Sequence, residues 1–182
     1  MEYSLKIKNV WKIFGDYSKD ILKVIQDKNL TKQEALEKYN VVIGVSNVSF
    51  DVKKGEIFCV MGLSGSGKST LVRHINRLLE PTSGQILINN RDIMGFNKKS
   101  LQNFRNQTVG MVFQNFALMP HRSVIDNIAL PLEIRGINKN KRLSLARNVL
   151  DLVELKGWGD RYAHELSGGM QQRVGLARAL AA

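Results

Sequence analysis

The stretch Gly62-Leu63-Ser64-Gly65-Ser66-Gly67-Lys68-Ser69-Thr70 decides how the rest of the chain is interpreted. It follows the apolar run Ile57–Met61 and precedes residues 71–79, whose apolar positions recur with helical spacing. The predicted order is strand, glycine-rich loop and helix. The spacing G-x-x-x-x-G-K-[ST] in this setting predicts a phosphate-binding loop, because glycines accept positive φ and let backbone N–H groups surround an anion.

The side chains of this loop predict a nucleoside triphosphate with Mg²⁺ as the ligand. The Lys68 ammonium is expected to reach the β- and γ-phosphates, the Ser69 hydroxyl to bind Mg²⁺, and Thr70 to add a phosphate contact. The start of the following helix adds the positive end of its dipole. The predicted phosphate-binding residues are Gly62, Ser64, Gly65, Ser66, Gly67, Lys68, Ser69 and Thr70.

Composition predicts a globular chain in the cytoplasm. Of the 182 residues 43% are hydrophobic, which is enough to bury a core. No run of 18 apolar residues occurs, and the first residues lack the pattern of a signal peptide. The single cysteine, Cys59, falls within the predicted buried strand and is expected to be a small core residue.

The charge balance bears on the choice of partner. Lys and Arg number 27 against 16 Asp and Glu, a net charge of +11 that suits an anionic ligand, an anionic membrane or a nucleic acid. No basic run alternates with aromatic residues as in a single-strand binder, so nucleic acid is not the expected partner.

The segments before the loop predict two strands with a helical insertion between them. Residues 4–14 alternate as a half-buried strand, and its aromatic Phe14 is either a core residue or a platform that stacks on a nucleotide base. Residues 16–40 have two helical stretches, the second opened by a Thr31–Glu34 capping box. Residues 41–52 return to strand character.

The segments after the loop predict more of the sheet and then a helical lobe. Residues 85–89 are expected to form a strand, 98–106 a short helix, and 108–114 a buried strand whose last residue, Gln114, can face Mg²⁺ or water. Strands on both sides of the loop imply a mixed sheet. A helix capped by Ser123, bent by Pro131 and ended by Gly136 follows, and Asn138 caps the next helix.

A second glycine-rich corner, Leu166–Arg173, precedes a helix predicted from Val174 to Ala182. Ser167, Gly168 and Gly169 at a helix N-terminus present a hydroxyl and free N–H groups to an anion. One nucleotide does not need two such corners from one chain. The corner is therefore expected to face the γ-phosphate of ATP bound by another copy, unless it is an ordinary Ser-Gly-Gly helix cap.

With these segments in this order, the chain resembles the ATP-binding subunit of an ABC transporter. In that family residues 62–70 are the Walker A loop, Gln114 is the Q-loop glutamine and Leu166–Gln171 is the signature motif, whose Ser167, Gly168, Gly169 and Gln171 bind ATP. Phe14 falls where the family has its adenine-stacking aromatic. The resemblance implies an α/β fold, with a P-loop NTPase core (1–114, insertion at about 16–40), a helical subdomain (115–165) and the signature with its helix (166–182). ATP and Mg²⁺ are the implied cofactors, with Ser69 and Gln114 as metal ligands.

Residues 30–34, 61–64, 112–121 and 170–175 are similar to those of the glycine betaine/proline importers of osmoprotectants. This similarity implies import of a compatible solute. The implied partners are a second ATP-binding subunit in a head-to-tail dimer, an integral membrane permease and, indirectly, a solute-binding protein. The implied location is the cytoplasmic face of the inner membrane.

The chain departs from the family pattern in two places. Ala163-His164 stand where the family usually has a proline before the signature. After Ala182 the family continues with the Walker B strand, a D-loop and a switch histidine, so the cassette is expected to be incomplete here and unable to hydrolyse ATP alone. Strands 57–61 and 109–113 are expected to lack neighbours within these residues.

Two other functions are compatible with the sequence: an ABC ATPase that acts on nucleic acid or the ribosome, and an ATP-binding module without hydrolysis. The continuous match of residues 113–132 to the transporter pattern favours transport over the nucleic-acid alternative.

Overall fold

A computed structural model describes residues 2–181. The chain forms two compact units that divide between Lys98 and Lys99. The boundary predicted from the sequence lies at residue 114, and the predicted division into three parts stays a prediction.

The first unit is built on a four-stranded antiparallel sheet of order β2-β1-β3-β4. The strands are β1 (Tyr3–Phe14), β2 (Val42–Lys53), β3 (Ser83–Ile88) and β4 (Arg91–Asp92). The turn between β3 and β4 consists of Asn89 and Asn90, which both have positive φ, 48° and 60°. Asparagine tolerates this conformation in tight hairpins. The three strands predicted at 4–14, 41–52 and 85–89 are confirmed.

The predicted helical insertion between β1 and β2 is confirmed as α1 (Lys19–Asp27) and α2 (Lys32–Tyr39). The Thr31 hydroxyl accepts from the Glu34 N–H, and the Glu34 carboxylate accepts from the Thr31 N–H at 2.9 Å. These two hydrogen bonds form the predicted capping box, and the one that the carboxylate accepts from the Thr31 N–H is the first cause of the lowered pKa of Glu34. The insertion shares a core with the two strands, formed by Ile13, Leu22, Ile25, Ala35, Val41 and Ile43.

The two predicted buried strands, 57–61 and 108–114, are corrected: neither segment forms a strand. Ile57 is 92% and Met61 90% exposed, and Cys59 is exposed rather than in the core. The physical reason is that a strand exists only through hydrogen bonds to a neighbour, and no described strand pairs with either segment. All described pairings are accordingly antiparallel, and the parallel part of the expected mixed sheet is not among them.

Helix α3 (Lys68–Ile75) follows the glycine-rich loop and carries a fully buried histidine, His74. The His74 Nδ1 lies 2.6 Å from the carbonyl oxygen of Leu79, so Nδ1 carries the hydrogen and donates it. Within residues 2–181 the other ring nitrogen, Nε2, has no hydrogen-bond partner. Protonation there would bury a charge and an unpaired donor, and burial therefore lowers the pKa of His74.

We expect this buried histidine to make the folded protein less stable in acid. Above about pH 6.5 the imidazole is neutral in both states, but below it the unfolded chain gains a proton that the folded state resists, which favours unfolding. Unfolding midpoints of the full-length protein between about pH 7.5 and 5.5 should fall less steeply for His74→Gln than for the unchanged protein. His121 is exposed, so His121→Gln is the matched control and should keep the full slope. Equal slopes for all three proteins would contradict the prediction.

The second unit is helical, with α4 (Lys98–Gln107), α5 (Val124–Ile134), α6 (Lys139–Leu152) and α7 (Gly168–Leu180). Ser123 and Asn138 cap α5 and α6, and Pro131 lies inside α5, as the sequence predicts. Helices α5, α6 and α7 share one core, formed by Val124, Ile125, Ile128, Ala129, Ala146, Leu150, Val153, Leu155, Leu166, Val174 and Ala177. No helix within residues 2–181 is both long and apolar enough to cross a membrane.

A buried asparagine, Asn127 on α5, fixes the loop that precedes this helix. Its Nδ2 donates to the carbonyl oxygens of Met119, Arg122 and Ser123 at 3.0–3.1 Å, and its Oδ1 accepts from the Met119 N–H at 2.7 Å. All its polar atoms are thus paired, which removes the penalty of burying an amide. The loop after Gln114 is held in a defined conformation by this side chain.

Candidate nucleotide-binding site

The predicted phosphate-binding loop is an exposed turn that runs into the N-terminus of α3. Gly65 and Gly67 have φ of +78° and +98°, values that a residue with a Cβ rarely adopts. Gly67 is the N-cap residue of α3, and Lys68, Ser69 and Thr70 form its first turn. The loop-to-helix half of the predicted strand–loop–helix unit is confirmed, and the backbone N–H groups at this helix start have no intrahelical acceptor.

The Lys68 side chain folds back over the loop. Its Nζ donates to the carbonyl oxygens of Gly62 at 2.6 Å and Leu63 at 2.7 Å, and lies 3.4 Å from the Ser66 hydroxyl. None of the ion pairs among residues 2–181 involves Lys68. An ammonium that is hydrogen-bonded but not neutralised gives the loop a positive potential suited to an anion.

One residue that the sequence analysis missed, Gly44 on β2, lies between Phe14 and the loop. A Cβ at Gly44 would lie 2.6 Å from Cε2 of the Phe14 ring, and a Cβ at Gly67 would collide with the Gly44 carbonyl oxygen. Phe14 is 38% exposed and Lys12 Nζ lies 5.1 Å from its ring centroid. The partly exposed Phe14 ring therefore lies beside Gly44, whose carbonyl oxygen faces Gly67 of the loop, and its role at an adenine stays a prediction. The sequence did contain a signal for this contact, because a glycine inside a strand often marks a position where another part of the backbone approaches closely.

A cavity of about 490 Å³ adjoins the loop. Gly62, Ser66, Gly67 and Lys68 line it together with apolar side chains of β2 and of the segment that follows. Lys32, at the start of α2, also lines this cavity, so the insertion contributes a second ammonium-bearing side chain that the sequence analysis did not single out.

The second glycine-rich corner lies at the start of α7. The helix begins at Gly168, earlier than the predicted Val174, because the Ser167 hydroxyl caps it by accepting from the Met170 N–H at 3.4 Å. A Cβ at Gly168 or Gly169 would meet nothing within 4 Å, so this corner is open. The Gln171 side-chain amide instead donates backward, to the carbonyl oxygens of residues 163 and 166 at 2.8 and 3.2 Å.

A carboxylate braces the turn that leads into this corner. The Glu165 carboxylate accepts from the Tyr162 N–H at 2.7 Å and from Arg161 at 2.9 Å, and both interactions lower the pKa of Glu165. The residues Ala163–Glu165 form a short 3₁₀ turn in the place where the family usually has a proline. The unusual pair Ala163-His164 thus still gives an ordered entry to α7.

The remaining predicted ligand, Gln114, lies on an exposed turn and not at the end of a strand. Gln114 and Ser167 belong to the second unit, whereas Phe14 and the phosphate-binding loop belong to the first. Within residues 2–181 no group of three His, Cys, Asp or Glu side chains could hold a metal ion. The exposed glycine turn and the unneutralised Lys68 ammonium fit the phosphates of a nucleoside triphosphate.

The loop, its helix and the second serine-capped corner define a P-loop nucleotide-binding protein. The sequence profile of the ABC transporter family matches residues 45–182, and the chain belongs to this family. It is 49% identical over its whole length to the glycine betaine/proline betaine transport system ATP-binding protein ProV of Escherichia coli K12, and covers 45% of that protein. It is 48% identical over 97% of its length to the glycine betaine/carnitine transport ATP-binding protein GbuA of Listeria monocytogenes, covering 44% of it. The chain spans less than half the length of these relatives.

The fold is also that of solved ATP-binding cassettes. The cassette MJ0796, in a dimeric post-hydrolysis state bound to ADP and Pi, aligns with a TM-score of 0.79 and 31% identity, over 97% of this chain and 69% of that one. The predicted α/β fold of the ABC ATPase type is confirmed. The transporter relatives do not favour the alternative of an ATPase that acts on nucleic acid or the ribosome.

Proposed function

We propose that this chain is the ATP-binding part of an importer that takes up glycine betaine, proline or a related compatible solute. The observation that carries the proposal is the phosphate-binding loop, with Lys68 held over it and Gly67 opening α3. The relatives named for glycine betaine transport support the solute class. ATP binding and hydrolysis by the whole protein would then drive import.

The residues of the first unit are assigned to different parts of the ATP molecule. Phe14 stacks on the adenine, the backbone N–H groups of Gly62–Gly67 bind the phosphates, and Lys68 contacts the β- and γ-phosphates. Ser69 binds Mg²⁺, which neutralises phosphate charge, and Thr70 adds a phosphate contact. Gln114 is assigned to water or Mg²⁺ on the resemblance alone.

The second corner serves a different ATP molecule. Ser167, Gly168, Gly169 and Gln171 are assigned to the γ-phosphate of ATP bound by a second ATP-binding subunit, in a head-to-tail dimer. The open space at the two glycines and the Ser167 cap at the start of α7 support a corner that accepts an anion from outside the chain. The dimeric state of the MJ0796 cassette supports the pairing of two copies.

A role in solute import implies the partners of this chain and its location in the cell. The conformational change of the dimer would be transmitted to an integral membrane permease. A solute-binding protein would deliver the solute to that permease. The subunit would then lie at the cytoplasmic face of the inner membrane. The names of the relatives support a role as the ATP-binding part of a transport system, and the permease, the solute-binding protein and the membrane face are assigned on the resemblance to the importer family.

Solute uptake tests the proposal directly. Cells without other osmoprotectant importers, given the full-length protein and its permease, should accumulate labelled glycine betaine or proline under osmotic stress. Lys68→Ala should strongly reduce uptake, because the loss of a charge-assisted phosphate contact weakens ATP binding, whereas Lys141→Ala on the exposed face of α6 should not change it.

Two outcomes of this assay would count against parts of the proposal. Lys68-dependent ATP binding without uptake of either solute would exclude the solute class and leave nucleotide binding intact. Cells that express Ser167→Arg and Lys68→Ala copies together should regain part of the uptake through one intact shared site. Uptake no better than with either variant alone would exclude the shared site.

A further inference from the structure

The segment that carries Gln114 lies along α7, the helix that begins at the signature corner. A Cβ at Gly110 would be 3.0 Å from the carbonyl oxygen of Ala179, and a Cβ at Gly175 would be 3.7 Å from the carbonyl oxygen of Phe116. The distance at Gly110 is tighter than usual and the one at Gly175 is an ordinary van der Waals contact, so the two backbones approach each other through glycine at both positions. The segment thus contacts α7 both before and after Gln114.

A third contact on the same side of α7 is a forked hydrogen bond from Arg178. Its Nη1 donates to the carbonyl oxygen of Ala117 at 2.6 Å and its Nη2 to that of Phe116 at 2.7 Å. The guanidinium is half-buried, and burial lowers the pKa of Arg178. None of the ion pairs in the described part of the chain includes Arg178, so its charge is directed at these two carbonyl groups.

The two carbonyl groups belong to an unusual turn. Phe116 and Ala117 have φ of 55° and 48°, and neither is a glycine. Phenylalanine and alanine lack the short polar side chain that lets asparagine adopt the left-handed conformation in a turn, so their surroundings must hold them there. The Arg178 fork supplies that restraint, because it binds both carbonyl oxygens from one rigid plane.

We propose that Arg178 is a positioning residue that binds the turn after Gln114 to α7. Gln114 and Ser167 thereby keep a fixed position relative to each other. Arg178 itself does not touch ATP. A change at either functional residue would be transmitted to the other through this fork. The inference rests on the proposed function for its kinetic readout, and on the geometry alone for its structural readout.

The test uses the full-length protein assembled with its permease. Arg178→Lys keeps the charge but cannot reproduce a planar fork, and Arg178→Ala removes both bonds. For both variants we expect the kcat for ATP hydrolysis to fall by about tenfold or more, which corresponds to the loss of roughly one charge-assisted hydrogen bond. The KM for ATP should change by less than about twofold. The control is Arg142→Ala, because Arg142 on α6 also donates to a carbonyl oxygen, that of Ile137 at 3.4 Å.

Hydrogen exchange supplies a readout that does not require hydrolysis. In Arg178→Lys the amides of residues 115–118 should exchange faster, while those of α5 and α6 keep their rates. An unchanged kcat with unchanged exchange at 115–118 would overturn the proposal. So would a uniform rise in exchange across the second unit, because that would show a role in folding only. If the unchanged protein hydrolyses no ATP, the proposed function fails, and the local exchange result still decides the role of Arg178.

Discussion

Replacing Lys68 by alanine is expected to weaken ATP binding by about 30- to 200-fold, because a charge-assisted contact of roughly 2–3 kcal/mol is lost. The same substitution removes the two hydrogen bonds from Nζ to the carbonyl oxygens of Gly62 and Leu63. The loss should therefore include some loosening of the loop, which adds to the effect on affinity.

Titration of the full-length protein with a fluorescent ATP analogue measures this loss. Lys141→Ala removes an exposed lysine of α6 and should bind the analogue as tightly as the unchanged protein, which controls for the change in net charge. An unchanged affinity in a folded Lys68→Ala protein would show that the loop does not bind phosphate through this residue.

The second large effect is expected at Gly67. An alanine there must adopt φ of +98° and place its Cβ against the carbonyl oxygen of Gly44, a backbone atom that no rotamer change can move. Left-handed strain alone costs about 1–2 kcal/mol for a residue with a Cβ, and the collision adds to it. We expect Gly67→Ala to lose ATP binding almost completely and to lower the unfolding midpoint.

Gly55→Ala separates strain from collision. Gly55 has φ of +76°, but a Cβ there meets nothing within 4 Å and it lies outside the phosphate-binding loop. Its alanine variant should lose only the strain energy and keep full affinity for ATP. If both variants unfold at the same temperature and bind ATP equally, the close approach of Gly44 to Gly67 affects neither the free energy of unfolding nor the affinity for ATP.

Local patterns predicted the parts of this structure that local chemistry determines. The passage from the glycine-rich loop into α3 and the Thr31–Glu34 capping box both depend on residues within a few positions of one another, and both are confirmed. The predicted core strands failed at Ile57–Met61 because apolar spacing reports what a segment would bury, whereas pairing requires a neighbour supplied from elsewhere. The exposure of Cys59 is the same error.

The site features that sequence reasoning missed are contacts between distant segments. The Gly44 carbonyl oxygen reaches the loop from β2, and Arg178 on α7 binds residues more than fifty positions earlier. An arginine in a helix pattern is ordinarily interpreted as a solvated side chain, and nothing in its neighbours along the chain indicates a carbonyl fork. Such roles depend on tertiary placement, which one sequence without structure does not specify.

Gly44 also affects which substitutions this protein can accept at other positions. A side chain at 67 would meet the carbonyl oxygen that any residue at 44 carries, whereas a Cβ at 44 would lie 2.6 Å from the Phe14 ring, so positions 14 and 44 constrain one another. Their substitutions cannot be additive: an alanine at 44 is harmful beside phenylalanine but finds room beside a smaller residue at 14. A substitution at 14 can therefore change which residues position 44 accepts, while the need for glycine at 67 stays the same whatever residue stands at 44.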